Sequence, residues 1–511
     1  MDNSHNNTGL FPQMPICEEV LHAEVGNDFT LPDYKSEIRK LLSTKVKLMA
    51  PQKYIGNNGA NLEGQLVYKI LYIGADGSLY CATLNDKYRF DATFDYGAHS
   101  LNPDDVMLEC FCECESVNTR VLGPRKLNVK SRLSCRFLAL SPALYTPTHT
   151  GAHDKSSIEN LIMEAPSLVV KNCESESITL TEFISTDQQI DTVRIIDSIS
   201  NVMISECSPA VDKINVRGEV FLKLIYCNDA QSEDALTMIR RLPFSSSILC
   251  EGVTNSHECC AHGVISEEDI RMDDNGINIE LTLTLYAHAQ KNEAVSYVYD
   301  AFSTESSVEN STEEITLNKA LKALNGNLSL NETFSLSEMR IDPNAKVIDI
   351  EAKAHLHSFN VENGKVVLLG ECYYQVVFCL NGEYSAYEFT SPLRYELDLR
   401  TALSEYDLKL LYTIANVISS HARSDGERLF IDCEVNFCLS LYAKHKIVLL
   451  KEMTLGEKLL KSTGEMTLCY PSKNSSLWSV AKQYGIPVQK LRDKNGLSEN
   501  DGIFKRKYLV I

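Results

Sequence analysis

The chain has 511 residues and carries 49 Lys+Arg against 69 Asp+Glu, a formal net charge of −20. At about 100–200 residues per domain, that length predicts about three to five domains. The acidity excludes nucleic acid as the partner of the whole chain, because phosphate binding needs basic surface, and 44% hydrophobic with 23% charged residues excludes wholesale disorder.

The first eight residues (MDNSHNNT) are polar, without a basic segment leading into an apolar one, and no run approaches the ~18 apolar residues that span a bilayer. The expectation is a protein that stays in the compartment where it is made. Its seventeen cysteines are then expected to be mostly reduced and structural. Cys372 and Cys379 lie inside apolar runs, where a thiol behaves as a small hydrophobe.

Three segments repeat one pattern in chain order. Asn61–Tyr72 (NLEGQLVYKILY), Asn215–Tyr226 (NVRGEVFLKLIY) and Val367–Phe378 (VLLGECYYQVVF) each set a glycine before a polar residue and a strand-like run. The glycines, Gly64, Gly218 and Gly370, are 154 and 152 residues apart. Phe29, Phe183 and Phe334 precede them by 35, 35 and 36 residues. An alternating segment follows in each copy: Lys126–Leu138, Ile277–Ala289 and Leu429–Leu441. In the last, Ile431, Cys433, Val435, Phe437, Leu439 and Leu441 point one way, while Asp432, Glu434, Asn436 and Ser440 point the other, with Cys438 the exception. This is the period of a half-buried strand.

The boundaries expected are an N-terminal segment 1–28, a β-rich unit 29–140, a linker with connecting strands 141–182, a second unit 183–291, another linker 292–333, a third unit 334–450 and a short linker 451–465. The Ser/Thr-rich stretches Ser141–Ser157 and Ser303–Thr312 read as linkers. In the first unit Tyr34, Ile38, Leu41 and Leu42, after Pro32-Asp33, predict a short helix. Antiparallel strands with one apolar face pair into a sandwich or a two-layer sheet, and the pattern leaves both open.

Residues 466–511 differ. Thr467–Tyr470 predicts a strand. Ser475-Ser476 can cap a helix carrying Leu477, Val480, Ala481 and Tyr484 on one face, and Gly485 ends it. Pro487 opens a second helix with Val488 and Leu491 facing inward, Gly496 ends that one, and Lys507–Ile511 is a closing strand. The fold class is therefore multidomain and mainly β: three β-rich repeat units followed by a small α+β unit of order βααβ. This head has eight Lys/Arg and three Asp/Glu, a net charge of +5, leaving −25 on the rest. Opposite fields of this kind can steer encounter with an acidic partner.

Catalytic and metal-binding patterns are incomplete. His257-Glu258-Cys259-Cys260-Ala261-His262 spaces its histidines five apart, not the four a zinc-protease helix needs, so a loop with incidental histidines is expected. Cys110, Cys112 and Cys114 would share a strand face but lack a fourth ligand at zinc spacing, so an apolar face is expected. His149, His153 and Asp154 fall in a linker, expected as a solvated loop. No phosphate-loop or nucleotide fingerprint is present. No enzyme activity, metal or cofactor is expected.

The C-terminal unit resembles a LysM domain, through Ser476–Ile486 (SLWSVAKQYGI) and Lys490–Leu497 (KLRDKNGL). LysM domains bind N-acetylglucosamine polymers in a shallow groove between two loops. Here Asn474-Ser475-Ser476 replaces the family's Gly-Asp-Thr, and Lys505-Arg506-Lys507 replaces its Pro-Gly-Gln. The repeats resemble the SPOCS domain of sporulation and coat proteins. In the first copy Phe29-x-Leu31-Pro32, Lys35, Ile38, Leu41-Leu42, the strand ending Lys69-Ile70-Leu71-Tyr72 and Arg125–Lys130 carry the match, and the other two copies follow it by register. Tandem SPOCS units with a terminal LysM domain resemble the architecture of spore coat morphogenetic proteins. That resemblance implies a non-enzymatic adaptor in the mother cell cytosol, recruited to the forespore surface by a coat ATPase of SpoIVA type. Its expected partner-binding surface, or glycan-binding surface on the alternative reading, comprises Asn474, Ser475, Ser476, Leu477, Trp478, Leu497, Ile503, Lys505, Arg506 and Lys507. Trp478, the chain's one tryptophan, suits an interface hot spot and equally a core position. The competing reading is a peptidoglycan-binding LysM protein, against which stand the altered loops and the lack of an export signal.

Overall fold

Alternating apolar residues bury one face of a strand, and two such sheets bury each other. A computed structural model of the chain describes residues 9–49, 51–94, 103–150, 157–171, 173–185, 194–227, 236–273, 276–398, 407–459, 467–471, 475–498 and 508–511. Each repeat is a sandwich of two antiparallel sheets. In the first unit Lys126–Tyr145 lies between Gly9–Thr30 and Met107–Gly123, while Gly59–Gly74 lies between Ile38–Leu48 and Leu79–Thr93. In the second, Gly276–Ser303 is flanked by Glu176–Ser185 and Glu258–Asp273, and Lys213–Cys227 by Arg194–Ala210 and Leu236–Leu249. In the third, Arg428–Lys458 is flanked by Ser306–Ser335 and Asp407–Ser424, and Lys365–Leu380 by Lys346–Glu362 and Glu383–Leu397. Each unit has its own core between its sheets, such as Leu66, Tyr68 and Ile70 against Leu127, Val129 and Leu133. The choice left open by the pattern falls to the sandwich.

The repeated glycines have a steric cause. Gly218 and Gly370 sit opposite strand bulges at Ile204/Glu206 and Leu356/Ser358. A Cβ there would stand 2.1 Å from the Met203 carbonyl oxygen and 2.0 Å from that of His355. At Gly64 it would meet the Tyr88 ring at 2.3 Å. Gly370→Ala must push a backbone carbonyl aside, and should lower stability by about 1–3 kcal/mol in urea unfolding; an unchanged midpoint contradicts this origin for the landmark.

Two expectations change. Ile38–Leu48 is a strand, not a helix, and Tyr34 is exposed in the preceding turn. Register shifts at Ile38/Lys40 and Leu41/Ser43 each insert a residue. Apolar side chains three and four apart thereby regain period two and imitate a helical face. The Ser/Thr-rich stretches, where described, are also strand. Ser141 is buried within Lys126–Tyr145, and Ser303 and Ser306 are buried at the ends of adjoining strands. Polar, extended sequence there serves packing between units.

The units converge about a pseudo-threefold axis. Leu42, Ile196 and Ile348, with Leu71, Ile225 and Val377, occupy equivalent positions and pack as one cluster. Phe11, Ala143, Val295, Ile315 and Ile447 form a second where the long ribbons meet. This explains the outward face of Leu429–Leu441. Asp432 is exposed there, but Asn436, Cys438 and Ser440 are buried. The Asn436 amide donates to Ile204 O at 3.1 Å, and Ser440 Oγ donates to Gln290 Oε1 at 2.9 Å.

Charges close the axis. Strand register makes Ser43, Asp197 and Asp349 equivalent, opposite Leu71, Ile225 and Val377. Lys69, Lys223 and Gln375 form another equivalent set, five residues after each landmark glycine. Lys69 of the first unit reaches Asp197 of the second at 3.6 Å, and Lys223 of the second reaches Asp349 of the third. The third step has Gln375 and Ser43 instead, and there Lys45 bridges both acids at 3.0 Å each. Burial alone would raise the Asp349 carboxyl, but Lys223 and Lys45 hold it well below the usual carboxylate range. Burial likewise opposes the charge on Lys45, and Asp197 and Asp349 overcome it.

Of the seventeen cysteines, Cys173 and Cys250 are joined by a disulfide and the other fifteen are in none. The expectation of reduced thiols therefore fails at that pair, where two chain segments abut.

Candidate functional site

The head folds as its sequence dictates. Helix α1 is Leu477–Tyr484 and helix α2 is Val488–Asn495. Ser476 Oγ accepts from Ser479 N–H, and Ser479 Oγ accepts from Ser476 N–H, a reciprocal cap. Gly485 (φ 60°) and Gly496 (φ 58°) end the helices in left-handed conformation. Val480, Ala481, Leu491, Cys469 and Leu509 form the core, and Leu468–Cys469 pairs with Leu509–Val510. Tyr484 is 38% exposed rather than on the buried face.

Of the residues expected to form the binding surface, Ser475, Ser476, Leu477, Trp478 and Leu497 lie in the described head. Ser476 is exposed, and Leu477 and Leu497 are half-buried against its core. Asn474, Ile503, Lys505, Arg506 and Lys507 lie outside the described residues.

Trp478 faces the body of the protein. Its Nε1–H donates to Asp300 Oδ2 at 2.8 Å, and its ring meets Phe302 edge-on, 4.9 Å between centroids. Lys482, one turn on, donates to Asp300 Oδ1 at 2.6 Å. Asn310 Nδ2 donates to the same carboxylate at 2.8 Å. Phe302 is 2% exposed and belongs to the head's own hydrophobic cluster, so the body supplies one of the head's core residues. Burial would raise the Asp300 carboxyl, but Lys482 and Trp478 hold it below the usual range. Sequence reasoning missed Asp300 and Phe302. Nothing local to the YDAF stretch marks it as a dock, because its partner lies 178 residues away.

The remaining candidates are structural. His257 lies in the turn before the strand Glu258–Asp273, as a loop histidine, whereas His262 lies within that strand. The His262 ring stacks on Tyr286 at 5.1 Å, and burial, with Lys53 nearby, pushes it down to about 3. Cys110, Cys112 and Cys114 pack against the first unit's core, as expected of an apolar face. Among the described residues no cluster of His, Cys, Asp and Glu is arranged to hold a metal ion. His149 falls in the strand Thr148–Thr150, not a loop, while His153 and Asp154 lie outside the described residues. A chamber of about 940 Å³ opens between the units. Two ion pairs lie on its wall, Lys69 with Glu268 at 3.4 Å and Lys353 with Glu351 at 3.2 Å.

Two family models match. Residues 191–273 match the model described as SipL, SPOCS domain, within the second repeat, and residues 472–511 match the LysM domain. No curated protein and no solved structure matches. The chain thus joins a SPOCS-containing body to a LysM head, two kinds of non-catalytic binding domain. That combination resembles a SipL-like protein carrying a C-terminal LysM domain. Among the described residues no helix is long and apolar enough to cross a membrane.

Proposed function

We propose that the protein is a non-enzymatic adaptor of spore coat assembly. Its LysM head binds a coat morphogenetic ATPase of SpoIVA type, and its acidic body offers surface to other coat proteins. On this reading it works in the mother cell cytosol at the forespore surface. The observation that carries it is the joining of a SPOCS domain at 191–273 to a LysM domain at 472–511 in one chain. The charge contrast of +5 on the head against −25 elsewhere supports recruitment of an acidic partner. The division proposed keeps the three units and the head 466–511 of the sequence pattern, with the strands Gly9–Thr30, Glu176–Ser185 and Ser306–Ser335 counted in the first, second and third units.

The second reading is glycan binding, which the LysM match itself favours. Asn474 and Lys505-Arg506-Lys507 argue for the protein partner, because side chains there crowd a site that glycine leaves open to close approach. Isolation of the tagged chain from sporulating cells should recover the coat ATPase with the full protein and lose it when residues 463–511 are removed. Equal recovery from both would place the partner on the body. Lys505→Glu with Arg506→Glu should weaken capture at low salt, and unchanged capture would remove the steering role of these cations.

A further inference from the structure

The body occupies the Trp478 face of α1, so a partner must find other ground on the head. The outer face of the two-stranded sheet supplies it. Cys469 and Leu509 point inward and are buried, so their neighbours point outward. Tyr470 is 71% exposed, Tyr508 47% and Leu468 45%. Tyr470 and Tyr508 pair at 6.2 Å between ring centroids. Val510 lies opposite Leu468 and completes the strip.

An apolar strip of this kind on a small soluble domain marks an interaction surface, and tyrosine is enriched at interface hot spots. The charge around it sets the occupant. Lys482 is neutralised by Asp300, whereas Lys490 and Lys494 on α2 are exposed and in no ion pair among the described residues. The Asn495 amide donates to Val510 O at 2.9 Å, which fixes the end of α2 beside the strip. We propose that the sheet face of Leu468, Tyr470, Tyr508 and Val510 docks an acidic surface segment of a partner protein, with Lys490 and Lys494 at its rim. This rests on the adaptor reading and deepens it: the head is held to its own body through one face and to its partner through the other.

The test uses the full chain and a purified SpoIVA-type ATPase. Tyr470→Ser with Tyr508→Ser should weaken binding at least tenfold while leaving circular dichroism and Trp478 emission unchanged. Lys490→Glu with Lys494→Glu should weaken it severalfold and flatten its salt dependence. Wild-type affinity in the folded tyrosine variant would overturn the surface while leaving the adaptor reading intact. No binding by the wild-type chain would overturn both. Concentration-dependent self-association abolished by the tyrosine changes would assign the face to a second copy and overturn the proposed occupant.

Discussion

Asp349→Ala should be among the most damaging single substitutions in the body. Asp349 is 4% exposed and receives both Lys223 and Lys45, whose side chains are 7% and 10% exposed. Removing it leaves the Lys223 ammonium without a carboxylate partner and Lys45 with Asp197 alone in the interface between units, and breaking a buried pair in this way costs about 3–5 kcal/mol. The expected result is a large drop in the urea midpoint of the first unfolding transition. Lys223→Met with Asp349→Leu should cost less than Asp349→Ala alone, because Lys45 keeps Asp197 and the buried volume stays apolar. The pH dependence has a definite sign. A carboxyl held below its ordinary range contributes stability that is complete above the unfolded value of ~3.9 and is lost as pH falls from there toward the folded value. The acid limb of the stability curve should therefore flatten in Asp349→Ala. A midpoint shift of less than ~1 kcal/mol would show that water already reaches these charges.

Phe302→Ala should release the head. Phe302 is the body's residue in the head's hydrophobic cluster, and truncating a buried Phe costs about 3–5 kcal/mol. The chain has one tryptophan, and its ring and Nε1 both touch the dock. Its emission therefore reports this contact. Phe302→Ala should move that emission to longer wavelength. Asp300→Ala should move it less, because that change leaves the Phe302 contact, and the Lys482 pair is 40% exposed and screened by salt. Acid should have the same effect as Asp300→Ala, but only well below the ordinary aspartate value of ~3.9, since Lys482 and Trp478 hold the Asp300 carboxyl below that range and its charge persists until lower pH. Unchanged emission in Phe302→Ala would mean that the head does not rest on the body.

Much of the fold is legible in the residue pattern alone. Period two holds in all three copies because each strand packs its own sandwich, and the landmark glycines mark positions where a Cβ would strike a neighbour, a carbonyl at a bulge for Gly218 and Gly370 and the Tyr88 ring for Gly64. The head is legible down to its caps, because Ser476, Gly485 and Gly496 act on their immediate neighbours. What is hidden is everything set by partners far along the chain. The bulges at Ile38/Lys40 and Leu41/Ser43 shift phase within a strand and so imitate a helix. Asn436, Cys438 and Ser440 read as solvent-facing until a neighbouring unit covers them. Trp478 reads as an interface or a core residue, and the surface it meets, Asp300 and Phe302, belongs to this same chain. The Cys173–Cys250 pair spans 77 residues and has no local signature.

The adaptor account rests on what the head prefers to bind. Titration of the full chain by isothermal calorimetry, in parallel with a purified SpoIVA-type ATPase and with N-acetylglucosamine oligomers, measures that preference directly. The account predicts saturable binding to the ATPase that weakens with salt, is lost when residues 463–511 are removed, and has no counterpart for the oligomers at millimolar concentration. Micromolar binding to the oligomers with none to the ATPase would contradict it, and would make the protein a glycan-binding LysM protein.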